Sequence, residues 1–271
     1  MISAADFQLL ADLLKKRSGI TLSEDKAYLL KSRLLPVARS RQMGNIAELC
    51  GKLRTQPGED LLVEITEAMT INESSFFRDI KPYEQLRKRV FPWLMEKSPD
   101  KHHLRIWSAA CSTGQEPYSV AMCIREDAEK MPGWTFDIVA TDIAAKVVEK
   151  ARLGVYSQFE AQRGLPIQML IKYFTSLPDT SWRLKDEIRS MVAFHTLNLL
   201  EDYAQLGKFD IIFCRNVLIY FDEETRAAII GKMARSLYPN GLLILGSTES
   251  LIDPAGRFMP FEEFRGAYRL K

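Results

Sequence analysis

The spacing of apolar residues changes character along the chain. Through residues 3–70 it is helical. Phe7, Leu10 and Leu14 follow Ser3-Ala-Ala-Asp6, which has the form of a capping box, and Leu29, Leu30 and Leu34 follow Ser23-Glu24-Asp25, a second helix start. Pro36 is placed to kink the end of that helix. Asn45-Ile-Ala-Glu48 opens a third helix, and the Pro57-Gly58 turn precedes a fourth amphipathic stretch. The pattern predicts a small all-helical domain over residues 1–75, followed by a linker and connecting helix over 76–100.

From residue 103 short apolar runs alternate with amphipathic helices: HLRIWSAA, PYSVAMCIREDAEK, FDIVATDI, AAKVVEKARL, and later KFDIIFCRN, EETRAAIIGKMARSLY and, after the turn Pro239-Asn240-Gly241, GLLILGS. Such alternation predicts an α/β domain over 101–271 with a parallel sheet covered by helices. A polar, proline-containing segment at about 155–196 breaks the rhythm and reads as an inserted subdomain.

Composition narrows the class. With 271 residues of which 46% are hydrophobic, the chain has ample material for a core, and its longest apolar runs fall far short of the roughly 20 residues of a membrane span. A cytoplasmic protein without direct membrane insertion is expected. Cys50, Cys111, Cys123 and Cys214 lack CxxC spacing, and His102, His103 and His195 form no ligand pattern with them, so neither a disulfide nor a metal is expected. The net charge of +2 hides a basic N-terminal part, since residues 1–54 hold ten Lys/Arg against five Asp/Glu. That excess fits a solvated surface and a docking surface for an acidic partner equally well.

In a doubly wound sheet, ligands bind outside the carboxyl ends of the strands, so residues just after each apolar run carry the chemistry. RIW leads into the small-residue loop SAACSTGQEP, suited to close approach of a ligand to backbone N–H groups. FDIVA leads into Thr141-Asp142, 28 residues beyond Gly114, and FDIIF into Cys214-Arg215-Asn216. Two roles fit Asp142: acceptor for the hydroxyl pair of a ribose, or N-cap of the helix beginning at Ala144. Glu116 separates the cofactor types, because a carboxylate repels a pyrophosphate and attracts a sulfonium. It disfavours a dinucleotide and favours S-adenosylmethionine.

One stretch, ITEAMTINESSFFRD at 65–79, fits neither a plain helix nor a plain linker. It belongs to a set: TINESSFFRD, WSAACSTGQEPYSVAM, ATDI, the pair Asn198-Leu199 in LNLLED, and FDIIFCRNVLIYFD followed by GLLILGSTES. In this order, over nearly the whole chain, these segments resemble the bacterial chemotaxis receptor methyltransferases of CheR type. The resemblance implies a Rossmann-like S-adenosylmethionine-dependent methyltransferase domain with a small inserted antiparallel β subdomain, behind the all-helical domain. It implies methyl transfer to glutamate side chains in the cytoplasmic signalling domains of transmembrane chemoreceptors, with S-adenosylhomocysteine as product. Carried over residue by residue, Asn72, Ser74 and Arg78 contribute to the cofactor site, Glu116 holds the cofactor's charged end or sugar, Asp142 the ribose, Asn198 and Leu199 the adenine surroundings, and Arg215 and Asn216 complete the wall. Phe76 and Phe77 read as interdomain core.

A glutamate acceptor, with an ordinary pKa of about 4.3, is ionised at neutral pH and requires no general base. Arg78 and Tyr220 are the candidates for positioning it, Tyr220 fitting equally well as packing beside Phe221. Lys26, Lys31, Arg33, Arg39 and Arg41 are candidates for docking acidic receptor helices. Relatives that grip a receptor's C-terminal tail use a glycine-containing loop of the insert, but KYFTSLPDTSWRLKDEI has no glycine, so a tail-independent enzyme is expected. Two other readings compete. A nucleic-acid methyltransferase would carry prolines and a stacking aromatic where this chain has Cys214-Arg215-Asn216-Val217, and a non-catalytic scaffold would bind the nucleoside without turnover.

Overall fold

The computed structural model describes residues 2–55 and 57–271. Two compact units form, one from the residues up to Ile71 together with Tyr220–Thr225, the other from Asn72–Ile219 and Arg226–Lys271.

The first unit is helical: α1 (Ala4–Ser18), α2 (Ala27–Ser40), α3 (Ile46–Thr55) and α4 (Glu59–Met69). Two of the starts carry a side-chain cap. Ser3 Oγ accepts the Asp6 N–H at 3.1 Å, and Asn45 Oδ1 accepts the Glu48 N–H at 3.0 Å. A single 3-10 turn at Glu24–Lys26 leads from Ser23 into α2, which runs on through Pro36 to Ser40. Leu10, Leu14, Leu30, Leu34, Leu49 and Ile65, at helical spacing, form its fully buried core. The captured segment belongs here by direct contact. Ile20 and Phe221 form an antiparallel bridge, Thr21 N donates to Tyr220 O at 2.9 Å, and Lys15 pairs with Asp222 at 2.7 Å.

The second unit opens with α5 (Lys81–Gln85) and α6 (Phe91–Lys97), joined by a π-helical turn, Leu86–Val90. Pro92, lacking an N–H, cannot complete the i→i−4 ladder here, the usual cause of such a break. Then follow β1 (His103–Ala109), α7 (Gln115–Glu126), β2 (Thr135–Asp142), α8 (Ala145–Leu153), β3 (Val155–Tyr156), α9 (Gln158–Gln162), α10 (Ile167–Tyr173), β4 (Phe174–Ser176), β5 (Trp182–Leu184), α11 (Asp186–Arg189), β6 (Val192–Thr196), β7 (Phe209–Cys214), α12 (Glu223–Arg235), β8 (Leu237–Leu245), β9 (Phe258–Pro260) and β10 (Ala267–Leu270). Among the described residues the main sheet has the order β6-β2-β1-β7-β8-β10-β9, parallel from β6 to β8. Its apolar strands are buried on both faces, as crossover helices require. The insert forms an antiparallel sheet of order β3-β5-β4.

Two local expectations change. The turn Pro239-Asn240-Gly241 does not precede the last parallel strand. It lies within β8 as an irregularity with Asn240 at φ 64°, because Phe209 pairs with Leu237 while Ile211 already pairs with Leu242. Phe76 and Phe77 are buried within the second unit rather than as interdomain core. Phe76 meets Tyr156 and Phe174 edge-on at 5.0 and 5.4 Å, and Phe77 meets Tyr83 at 5.2 Å. No helix among the described residues is long and apolar enough to cross a membrane.

Gly164 of the insert, at φ 85°, lies so close to the segment 72–80 that an added Cβ would fall 2.1 Å from the Phe76 carbonyl oxygen. Gly164→Ala is therefore expected to cost more than the roughly 1–2 kcal/mol of left-handed strain alone. Gly133→Ala, at φ 78° with open space around it, isolates that strain. Equal losses of thermal stability in the two variants would show that the contact is not tight.

Candidate active site

The topological switch lies between β1 and β7, where the chain, having run outward through β2 and β6, returns to the other side of β1. Ligands of such sheets bind at that crevice, beyond the carboxyl ends. Register alignment gathers the ends: Ala109 pairs with both Thr141 and Cys214, and Asp142 with Thr196. Glu116, Asp142, Asn198, Leu199, Arg215 and Asn216 thus sit in or beside loops at one end of one sheet.

The loop after β1 is held in an unusual conformation, with Ala110 and Ser112 both in the left-handed region at φ 57° and 52°. Both residues carry a Cβ that this conformation strains, and Asp142 helps hold it in place. Its carboxylate accepts the Ser112 N–H at 2.8 Å and the Ala144 N–H at 3.1 Å. Asp142 therefore ties the loop after β1 to the turn leading into α8, whose N-cap is Ala144 rather than Asp142. Asn198 shapes the next loop over, its Oδ1 accepting the Leu200 N–H at 3.0 Å, while Leu199 is buried.

At the centre is a buried cation. The Arg215 side chain is 1% exposed and reaches three acceptors: Glu116 at 3.1 Å, Asp79 at 2.7 Å and the Arg78 carbonyl at 3.2 Å. Its Nε is buried without a hydrogen-bond partner. Burial opposes its charge, but the surrounding groups, Glu116 and Asp79 among them, outweigh that and hold its pKa above the ordinary value. Glu116, whose side chain is 13% exposed, also accepts from Ser108 Oγ at 2.8 Å. Burial raises the Glu116 pKa, and Arg215 offsets only part of the rise.

The strap 72–80 closes this cluster. Ser112 Oγ donates to Asn72 O at 2.8 Å, Phe77 N to Ser119 Oγ at 2.9 Å, and Glu73 pairs with Arg163 at 2.6 Å. Ser74 is half-buried on the same strap. Phe77, Asp79 and Ile80 all have positive φ, 49°, 68° and 50°, so the turn around Arg78 is strained and held by its surroundings. Arg78 itself is half-buried and donates to the Glu73 carbonyl at 3.1 Å. Tyr220 belongs to the segment grouped with the helical unit.

Sequence reasoning missed two residues that build this region. Asp79, the second anion on Arg215, was legible only as the end of the FFRD motif. Glu249 accepts four backbone N–H groups, from Gly246, Asn216, Val217 and Leu218, at 2.7–2.9 Å. Its place in GSTES gave no signal of that.

The five basic docking candidates divide. Arg33 is turned inward, donating to the Met69 and Thr70 carbonyls at 3.2 and 2.7 Å, acceptors at the end of α4. Arg41 pairs with Glu64 at 3.0 Å. Lys26, Lys31 and Arg39 are exposed. At 100° per residue, Lys31 and Arg39 share a face of α2 with half-buried Leu35 and with Tyr28, which is 67% exposed.

The residues fit an S-adenosyl cofactor. Asp79, Glu116, Asp142 and Glu249 outnumber the cations Arg78 and Arg215, which suits a positively charged ligand, and small residues line the loop after β1. Sheet, switch-point loop and anionic cluster together define a Rossmann-like S-adenosylmethionine-dependent methyltransferase. Residues 72–264 match the family described as CheR methyltransferase, SAM binding domain, and residues 5–70 match CheR methyltransferase, all-alpha domain. The chain belongs to the CheR methyltransferase family. Chemotaxis protein methyltransferase 1 of Pseudomonas aeruginosa is 43% identical over 250 residues, 91% of this chain and 90% of that protein. Chemotaxis protein methyltransferase 1 of Vibrio cholerae is 39% identical over 259 residues, 95% and 93% of the two chains. A solved magnesium protoporphyrin IX methyltransferase from Synechocystis, with bound S-adenosylhomocysteine, overlaps 65% of this chain and 61% of its own at 21% identity and a TM-score of 0.34, too loosely to carry an argument.

The raised Glu116 pKa yields a pH prediction. A bound cation favours the ionised carboxylate, so S-adenosylmethionine affinity should fall as pH drops toward the free protein's Glu116 pKa, above the ordinary glutamate value of about 4.3. S-adenosylhomocysteine, without the sulfonium charge, should lose less. Calorimetric titration across pH checks this, and parallel losses for the two ligands would remove Glu116 from the sulfonium's surroundings.

Proposed function

We propose that this enzyme transfers the methyl group of S-adenosylmethionine to side-chain carboxylates of specific glutamates in the cytoplasmic signalling domains of chemoreceptors, forming methyl esters for chemotactic adaptation. The strained turn at 77–80 carries the reading, because its backbone brings Arg78 next to Asp79, which with Glu116 surrounds Arg215. The Arg78 cation suits an incoming carboxylate, and the two carboxylates suit a sulfonium. Relatives named chemotaxis protein methyltransferase support the receptor as substrate.

When bound, S-adenosylmethionine supplies an electrophilic methyl group on a positively charged sulfur. Asn72, Ser74, Arg78, Glu116, Asp142, Asn198, Leu199, Arg215 and Asn216 would hold it. The acceptor glutamate arrives ionised, so the protein has no proton to remove and its task is alignment. Arg78 orients the carboxylate, and its partial exposure keeps the pair from becoming so tight that the ground state is stabilised. Tyr220 offers an aromatic wall or a hydroxyl. Cation and anion disappear together along the reaction coordinate, so a partly dehydrated site assists. The buried thiols of Cys111 and Cys214, pushed up by desolvation, stay protonated and do not compete as nucleophiles.

Receptor docking falls to the outer face of α2. Tyr28 and Leu35 supply apolar contact there, and Lys31 and Arg39 supply charge for acidic helices.

Three outcomes are expected. Incubation with methyl-labelled cofactor and receptor-containing membranes should place label in base-labile carboxyl esters, whereas base-stable label would refute a glutamate acceptor. Arg78→Ala should cut methyl transfer much more than it lowers the melting temperature, and a folded variant with the normal rate would remove Arg78 from the chemistry. Reversing charge at Lys31 and Arg39 should raise the receptor concentration for half-maximal rate without changing cofactor affinity. The rate at low receptor concentration should also fall with salt, since exposed charges are screened over about 8–10 Å. Wild-type concentration dependence in the double variant would make this face merely a solvated surface.

A further inference from the structure

Beyond its charge, Glu249 is unusually committed to the backbone around it. Each of its carboxylate oxygens accepts two backbone N–H groups: Oε2 takes Gly246 and Asn216, both at 2.7 Å, and Oε1 takes Val217 at 2.9 Å and Leu218 at 2.7 Å. A carboxylate accepts such charge-assisted bonds more strongly than a neutral group would, and four at once fix a backbone that has no ladder partners. The segment so fixed begins one residue after Arg215, and Asn216 within it is in the left-handed region at φ 58°.

The loop after β8 is shaped to accommodate this carboxylate. A Cβ on Gly246 would lie 2.6 Å from Glu249 Oε2, 3.0 Å from the Asn216 nitrogen and 3.0 Å from Asn216 Nδ2, so any side chain at 246 would enter the space these groups occupy. Glu249 also adds to the negative surroundings that raise the Glu116 pKa.

We propose that Glu249 is a positioning residue for the cofactor site: its carboxylate is an internal template that folds the turn at 216–218 and thereby sets Arg215 and Asn216 in binding geometry. The inference rests on the assignment of S-adenosylmethionine as cofactor and not on the identity of the methyl acceptor. Glu249 touches no reacting atom in this account. It acts through the backbone, as a side-chain substitute for a strand partner at the end of β7.

The test combines S-adenosylhomocysteine affinity by calorimetry with amide hydrogen exchange in wild type, Glu249→Ala, Glu249→Gln, Gly246→Ala and the exposed control Thr248→Ala. Wild type must bind the ligand, and its failure to do so would overturn the cofactor assignment itself. Glu249→Ala and Gly246→Ala should each weaken binding at least roughly tenfold, and the amides of Asn216, Val217 and Leu218 should exchange faster while those of Ile211–Phe213 in β7 keep their protection. Glu249→Gln, which retains one acceptor oxygen, should fall between, and Thr248→Ala should match wild type. Wild-type affinity in Glu249→Ala would overturn the proposal. So would loss of protection across β7 together with the turn, since that marks a general fold defect. Gly246→Ala, which keeps the carboxylate and displaces it, guards against a variant that does not fold.

Discussion

The buried guanidinium of Arg215 is the interaction on which the site depends. It is carried to the switch point by β7, where it finds Glu116 from the helix after β1, and Asp79 and the Arg78 carbonyl from the strap. A buried ion is stable only when its partners are complete, and removing one from such a set typically costs about 3–5 kcal/mol. The arrangement therefore makes three segments distant in sequence assume their positions together. It also explains how a turn with left-handed phenylalanine, aspartate and isoleucine persists: contacts around it over-determine its shape.

Carboxylates are used twice over in this fold. Asp142 orders the loop after β1 and the turn leading into α8, and Glu249 orders the turn after β7, each by accepting backbone N–H groups. Both also add negative charge to the loops at the carboxyl end of the sheet.

The helical unit takes in one segment from far along the chain, Tyr220–Thr225. After Ile219 the chain joins that unit, held by the Ile20–Phe221 bridge and the Lys15–Asp222 ion pair, and then continues along α12. Lys15 draws the Asp222 carboxyl well below its usual range. Tyr220, four residues past Asn216, is consequently positioned by the unit whose α2 carries the exposed basic face.

Much of this was legible in the sequence because it depends on local rules. Helical spacing with Ser3 and Asn45 at the starts gave the first unit its helices, and apolar runs alternating with amphipathic ones gave the parallel sheet. Polar residues after each run marked the carboxyl ends, where Glu116, Asp142, Asn198, Arg215 and Asn216 are indeed gathered. The TINESSFFRD and WSAACSTGQEP motifs pointed to the family directly. Tertiary structure alone decided the rest, since it turns on which groups meet across long separations. Sequence could not pair Asp79 with Arg215 over 136 positions, aim Glu249 at the turn 33 positions before it, or turn Arg33 inward while leaving Lys31 and Arg39 outward. It also could not seat Phe76 against Tyr156 and Phe174 or draw Tyr220–Thr225 into the helical unit. Periodicity fixes which face of an element is apolar, whereas the partner of a buried charge is set by the packing that brings the elements together.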